Sequence, residues 1–207
     1  MALLSLFILK MRLILSNFVK NFSQTMEFYN AYIQQFSYDG ETYSKGEFRD
    51  LLKDFGCGVS SFPFKPFSEA KEAVTRDWTD EHGTDVYIPD GGQFLKSYEL
   101  DVEIIFKGTE SVIRTNIMNF LRFIYGNNTG GHARLAVFDE FVGFGRKDVR
   151  AKSHESEILF IAGDNADSVA TFKVKFEVND PVTDVTKVSN ANGECVGLTF
   201  TGIKVGE

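Results

Sequence analysis

Thr171-Phe172-Lys173-Val174-Lys175-Phe176-Glu177-Val178-Asn179-Asp180-Pro181 decides the fold of this 207-residue chain. Phe172, Val174, Phe176 and Val178 alternate with Thr171, Lys173, Lys175 and Glu177, which is the period of a strand with one buried and one wet face. Asn179-Asp180-Pro181 stops it, because proline has no amide to give to the ladder. Upstream, Leu100, Val102, Ile104 and Phe106 alternate with Asp101, Glu103, Ile105 and Lys107 up to Gly108. Two half-buried strands are thus predicted, and they are expected to share a sheet.

Between them, Thr109 to Tyr125 carries Ile113, Ile117, Phe120, Leu121 and Ile124 at spacings of three and four, the stripe of an amphipathic helix. Thr109 or Ser111 can cap its first amides, and Gly126 can take the left-handed position that ends it. Met118 and Phe123 lie off the main stripe. Either the helix is covered on two sides or those side chains meet another subunit, although an apolar helical residue more often packs within its own chain.

Composition bounds the reading: 43% of residues are hydrophobic and 21 are phenylalanine, enough for one domain with a substantial core. The net charge of −7 argues against tight binding to nucleic acid through phosphate neutralisation. It is compatible with a surface that nucleic acid slides past. Cys57 and Cys195 are far apart and outside any CxxC or His-spaced cluster of the kind zinc needs. Free thiols are the default reading, with one long-range disulfide left open.

Residues 1–25 differ from the rest. Met1 to Leu9 is nearly all apolar, Lys10 and Arg12 interrupt it, and Leu13-Ile14-Leu15 resumes it. A secretory signal carries its cations before the apolar run, and a membrane span needs roughly 20 uninterrupted apolar residues. The segment fits neither pattern well, and no membrane span is expected. It reads as an upstream extension before a natural start at Met26, as a poor signal peptide, or as an amphipathic helix that docks on a partner. Residues 26–207 read as a single β-rich domain.

Within that domain, Tyr38-Asp39-Gly40-Glu41-Thr42-Tyr43 predicts a hairpin around an Asp-Gly turn. Glu47 to Phe55 predicts a short helix through Phe48, Leu51, Leu52 and Phe55, ended by Gly56-Cys57-Gly58. Residues 60–98 are the least regular part, and long excursions in compact domains are usually functional or mobile. Tyr87 to Pro89 and Phe94 to Tyr98 flank Asp90-Gly91-Gly92, which predicts a long hairpin arm running back into the Leu100 strand. Gly126 to Gly131 reads as a flexible loop before a strand from Ala133 to Phe138.

The chain offers little chemistry. Asp77, Asp80, Glu81, His82 and Asp85 match no EF-hand spacing and read as a solvated acidic loop. His82, His132 and His154 fall in separate polar surroundings without an i, i+4 metal partner. Gly143-Phe144-Gly145-Arg146-Lys147 lacks the spacing of a phosphate-binding loop and reads as a turn between strands. No serine sits in a Gly-x-Ser-x-Gly elbow. No catalytic residue, metal ligand or cofactor is nominated. Trp78, alone in the polar arm, suits either a docking point or packing under a loop. Trp78, Tyr87, Met118 and Phe123 are the candidate oligomer contacts.

The fold class is mainly β (α+β), a β-sandwich or barrel-like arrangement of antiparallel sheets with one principal helix packed against them and a hairpin arm. The strand Ser97 to Lys107, the helix Glu110 to Tyr125, the strand Ala133 to Phe138 and the closing strand into Asp180-Pro181 resemble, in that order, the distal tail proteins of long-tailed bacteriophages and the related tail-tube fold. The resemblance covers about Phe36 to Pro181. It implies a homohexameric ring at the distal end of the tail tube, linked to other tail or baseplate proteins and passing DNA without specific binding. It also implies a place in the virion tail after synthesis in the host cytoplasm. Members of the family often carry a second carboxy-terminal domain, whereas this chain has room for one extra strand, Cys195 to Val205, which puts a carbohydrate-binding role in doubt. A tail-tube subunit proper, a sandwich module recognising carbohydrate or protein, and an enzyme are the other readings.

Overall fold

The computed structural model describes residues 28–77, 79–80, 82–90, 92–127, 134–155, 158–161 and 168–200. The leader, Trp78, Glu81, Gly91, most of the loop after Asn127 including His132, and residues 201–207 lie outside them. In chain order the elements are β1 (Ala31–Tyr38), β2 (Tyr43–Asp50), α1 (Leu51–Phe55), β3 (Cys57–Val59), β4 (Val74–Asp77), β5 (Thr84–Tyr87), β6 (Tyr98–Gly108), α2 (Glu110–Ile124), β7 (Arg134–Asp139), β8 (Phe144–His154), β9 (Leu159–Ile161), β10 (Ser168–Val178), β11 (Val185–Ser189) and β12 (Cys195–Phe200).

The two alternating segments are direct neighbours. β6 and β10 pair antiparallel over their whole length, from Tyr98 opposite Val178 to Gly108 opposite Ser168. Leu100, Val102, Ile104 and Phe106 are buried with Phe172, Val174, Phe176 and Val178 in one core. On the wet face, Lys173 stands opposite Glu103 and Lys175 opposite Asp101, pairs that favour this register. Thr171 and Ile105 depart from the alternation. They stand opposite one another and both are buried.

The main sheet runs β2-β1-β7-β8-β10-β6-β3, with β9 beside β10. It curls until β3 reaches the segment just before β1, where Tyr29 and Val59 exchange backbone hydrogen bonds of 2.8 and 3.0 Å. Between the barrel-like and sandwich-like expectations, that bridge decides for a barrel, with β2 continuing past the seam. Gly58 is fixed by the seam, since a Cβ there would lie 2.3 Å from the Phe28 ring. Closure leaves fewer open edges, which limits edge-to-edge association.

Helix α2 follows its predicted span. Thr109 takes the extended N-cap conformation without a side-chain cap bond, and Gly126 is left-handed at φ 72°. Phe120 meets the rings of Phe55 and Phe106 at 5.7 and 5.9 Å. Phe123, expected as a possible subunit contact, is instead fully buried, because α1 places Phe55 against that flank at 5.7 Å. Leu121, expected on the buried stripe, is only partly buried. Met118 stays 52% exposed.

The hairpin at Tyr38–Tyr43 forms as expected, with the two rings stacked 4.5 Å apart. Asp39 closes its turn by accepting from the amides of Thr42 and Glu41 at 2.7 and 2.9 Å, and these bonds hold its carboxyl down at about 2. The helix expected over Glu47 to Phe55 is shorter, beginning at Leu51. Residues 47–50 belong to β2, where Phe48 pairs with Gln34, and Asp50 caps the helix by accepting from the Lys53 amide at 3.0 Å.

Two adjacent polar residues fasten the layers to β1. Gln35 faces the core and donates to the Phe123 carbonyl at 2.7 Å, satisfying a helix-end acceptor. Gln34 faces outward and accepts from the Leu198 amide at 2.8 Å, holding the β11–β12 hairpin. That hairpin covers a second apolar cluster of Tyr32, Phe36, Ala136 and Phe138 with Val185, Leu198 and Phe200. The single extra strand expected from Cys195 onward is therefore half of a hairpin.

Phe123→Ala is expected to cost about 3–5 kcal/mol of unfolding free energy, and Met118→Ala about 0.5 kcal/mol or less. Urea melts of the two variants measure the difference. Equal losses would contradict the placement of Phe123.

Candidate functional site

The irregular segment forms an arm whose legs pair with each other before the tip. Lys96 donates its amide to the Glu69 carbonyl at 2.7 Å, and Lys71 donates to Phe94 at 2.6 Å. Further out, β4 and β5 pair from Val74 opposite Tyr87 to Asp77 opposite Thr84. The hairpin expected around Asp90-Gly91-Gly92 is corrected by this pairing: the paired strands end at Asp77 and begin again at Thr84, upstream of Asp90. Pro89 and Gly92 make a turn within the returning leg.

Every residue of β4 and β5 is exposed. Val74, Val86, Tyr87, Ile88 and Phe94 add large apolar side chains to that exposure, with Tyr87 at 66%. A two-stranded ribbon has marginal stability in water by itself. Among the described residues, no third strand joins it. The arm thus presents open edges and apolar side chains together, the combination that invites pairing with another chain.

The arm's root is built differently. Phe62 and Phe64 are buried and stacked 5.4 Å apart, and Phe62 donates its amide to Asp139 at 2.6 Å. The fully buried Asp139 also accepts from Phe141 and Val142, closing the β7–β8 turn. Lys65 donates its amide to the Tyr98 hydroxyl at 3.1 Å.

Gly143-Phe144-Gly145-Arg146-Lys147, read from sequence as a turn between strands, is mostly strand: the turn lies at 140–143 and β8 begins at Phe144. Gly143 is left-handed at φ 69°. Gly145 is needed for another reason: a Cβ would lie 2.3 Å from the Val137 carbonyl oxygen. The two cations that follow point into the protein.

Arg146, 2% exposed, donates from Nη2 to the carbonyls of Lys65 and Pro66 at 3.1 and 2.9 Å. From Nη1 it donates to the Val182 carbonyl at 3.1 Å and to the Asp184 carboxylate. Its guanidinium also stacks 4.4 Å over the Phe144 ring. Lys147 lies 4.1 Å over the Tyr43 ring, donates to the Tyr43 hydroxyl at 2.9 Å and sits 3.4 Å from Asp180. Buried cations are tolerated when paired and hydrogen-bonded in this way.

Asp180 turns the closing strand toward β11, accepting from the amides of Thr183 and Val182 at 2.9 and 3.0 Å. Burial pushes its pKa up, but those amides and the Lys147 charge outweigh burial and leave the carboxyl below its usual range. Burial raises the Tyr32 phenol to about 12, helped by Glu140. Burial likewise pushes the Cys57 thiol up and, to a lesser degree, that of Cys195. Both cysteines are free, one in the barrel core and one against the outer cluster.

The acidic residues Asp77, Asp80 and Asp85 are exposed with His82. No group of three or more His, Cys, Asp or Glu is gathered for a metal among the described residues. His154 shares a 2.9 Å hydrogen bond with the Tyr125 hydroxyl. It borders an open cleft of about 320 Å³ with Asp101, Ser153, Glu155, Lys173 and Lys175. A second cleft of about 290 Å³ lies between Met118, Ile117, Arg114 and Ile158. No described helix is long and apolar enough to cross a membrane.

Of the four candidate oligomer contacts, Tyr87 and Met118 are exposed on separate elements, Phe123 is core, and Trp78 lies outside the described residues. Sequence reading missed Arg146 and Lys147 as structural cations, since a Gly-rich stretch with two cations gives no sign that they turn inward.

No known protein family and no curated protein matches the chain. Among solved structures it is similar to the Dit protein (gp 19.1) of phage SPP1, described as a paradigm of the hub adsorption apparatus in phages infecting Gram-positive bacteria. The two share 18% identity with a TM-score of 0.36 over 76% of this chain. The match covers 55% of the SPP1 protein, so this chain corresponds to about half of its length.

Asp180→Asn removes the carboxylate that organises the turn and faces Lys147. Because the folded carboxyl is more acidic than the ordinary Asp value of 3.8, its contribution is present above that pH and is lost as pH falls below it. The variant is expected to be about 1–2 kcal/mol less stable at pH 7, with the gap to wild type closing below the ordinary Asp range. Urea melts at several pH values measure this. A gap that is constant with pH would contradict it.

Proposed function

We propose that the chain is a structural subunit of a bacteriophage or prophage tail, forming a ring at the distal end of the tail tube that joins the tube to the baseplate and lets DNA pass. The arm carries this reading. A ribbon whose every strand residue is exposed, rooted in a core by buried aromatic and charged groups, suits a device that reaches another copy. The order of strand, helix and closing strand that resembles the distal tail family supports the same assignment.

The wet face of the barrel fits a surface that DNA passes without being held. Its charges are interleaved: Lys152 and Lys175 both meet Glu99, and Arg150 meets Glu177. Cations matched in this way leave little net positive field for phosphate, and the whole chain carries −7. The ring is hexameric in this reading, and its partners are further copies of the chain and other tail proteins.

Light scattering of the full chain over a concentration series tests the proposal. Wild type is expected to assemble, and Tyr87→Ala to need about tenfold more protein for the same mass. Trp78→Ala is expected to behave likewise, with little change in the melting temperature of dissociated subunits. A wild type that remains monomeric at every concentration would sink the proposal. So would a loss of monomer stability that accounts for the Tyr87→Ala effect.

A further inference from the structure

We propose that Arg146 is a latch that fixes the direction of the arm relative to the barrel and couples the arm to the carboxy-terminal hairpin. All four of its acceptors belong to segments that leave the barrel. Lys65 and Pro66 lead into the arm, while Val182 and Asp184 lead into β11. Their separations of 81, 80, 36 and 38 residues from Arg146 make this a junction between distant parts of the chain.

The division of labour within the side chain gives the junction its stiffness. One amino group takes both carbonyls of the arm root, and the other takes both acceptors before β11. A guanidinium is planar, so binding at one edge orients the other. Stacking on Phe144 and burial within the protein remove the remaining freedom of the plane. Three of the acceptors are backbone carbonyls, so the latch acts on the course of the chain itself.

Neighbouring contacts reinforce the hairpin side. Arg146 and Asp184 form a backbone bridge, and the Lys147 amide donates to Thr183 at 3.4 Å. Lys147 then reaches Phe200 of β12 from 5.2 Å. On the arm side, Ser68 donates to the Lys96 carbonyl at 2.6 Å, tying the outgoing leg to the returning one just beyond the latch. Direction set at Pro66 is thereby passed to both legs.

The consequence for assembly rests on reading the arm as the element that reaches a second copy. A closed ring needs one fixed rotation between subunits, and a wandering arm yields open chains or mixed sizes. Arg146→Lys keeps the charge and loses the planar fork. Asp184→Asn keeps the fork and weakens one acceptor; Asp184 is largely exposed, so this variant is the milder one.

Spin labels at exposed Thr75 on the arm and Lys173 on the barrel, in the full chain carrying Cys195→Ser and diluted with unlabelled protein, read the arm's direction as a distance distribution. A second pair, Thr186 and Lys173, reads the hairpin. The latch predicts one narrow peak for each pair in wild type, with both peaks lost to a broad distribution in Arg146→Lys and a smaller broadening in Asp184→Asn. If Arg146→Lys does not fold, Asp184→Asn decides alone. Unchanged narrow peaks in the variants would overturn the latch, as would broadening of the arm pair alone with respect to coupling. Narrow wild-type peaks that broaden in the variants, in a protein that never assembles, would uphold the latch while removing the ring.

Discussion

The antiparallel ladder between β6 and β10 is the constraint from which the remaining structure follows. Eleven positions on each strand fix one register, and a slip by one residue would turn Phe172, Val174, Phe176 and Val178 toward water. Once that pair is set, β3 can add to the free side of β6 and β8 to the free side of β10. Helix α2 leaves directly from the end of β6, so its apolar stripe falls over the same core. The Tyr29–Val59 bridge then closes what the ladder began.

Around this apolar frame, a few buried polar groups decide where the peripheral pieces attach. Gln35 holds the helix end and Gln34 holds β12 from opposite faces of one strand. Asp139 serves the arm root and its own turn at once. Arg146 and Lys147 serve the arm, the closing turn and the second cluster. Gln34, Gln35, Asp139 and Arg146 bond backbone groups and Lys147 bonds the Tyr43 hydroxyl, and such directional bonds make attachment specific where apolar contact is permissive.

Sequence patterning revealed the elements with one buried face. β6, β10 and α2 were legible because their periods of two and about 3.6 reflect a single core, and the Tyr38–Tyr43 hairpin because Asp39-Gly40 marks its turn. β4 and β5 have no buried face, so no period announced them. In β11 only Val185 is buried, which leaves no alternation to read. Phe123 was misplaced because the stripe was drawn for one covering layer, whereas Phe55 of α1 supplies another. Phe48 and Leu51 look alike in sequence, but pairing with β1 keeps the first in a strand and frees the second to start a helix. The arm was legible as an excursion, while its root depends on hydrogen bonds from Arg146 to residues distant in sequence.

In the proposed ring, each closed barrel presents a fixed arm to the next copy around an open channel. Electron microscopy of the assembled full chain tests this most directly. Class averages should show six-fold rings with a central hole and the arm of each subunit lying on its neighbour. Compact particles without a hole, or assemblies in which the arms touch no other copy, would contradict it.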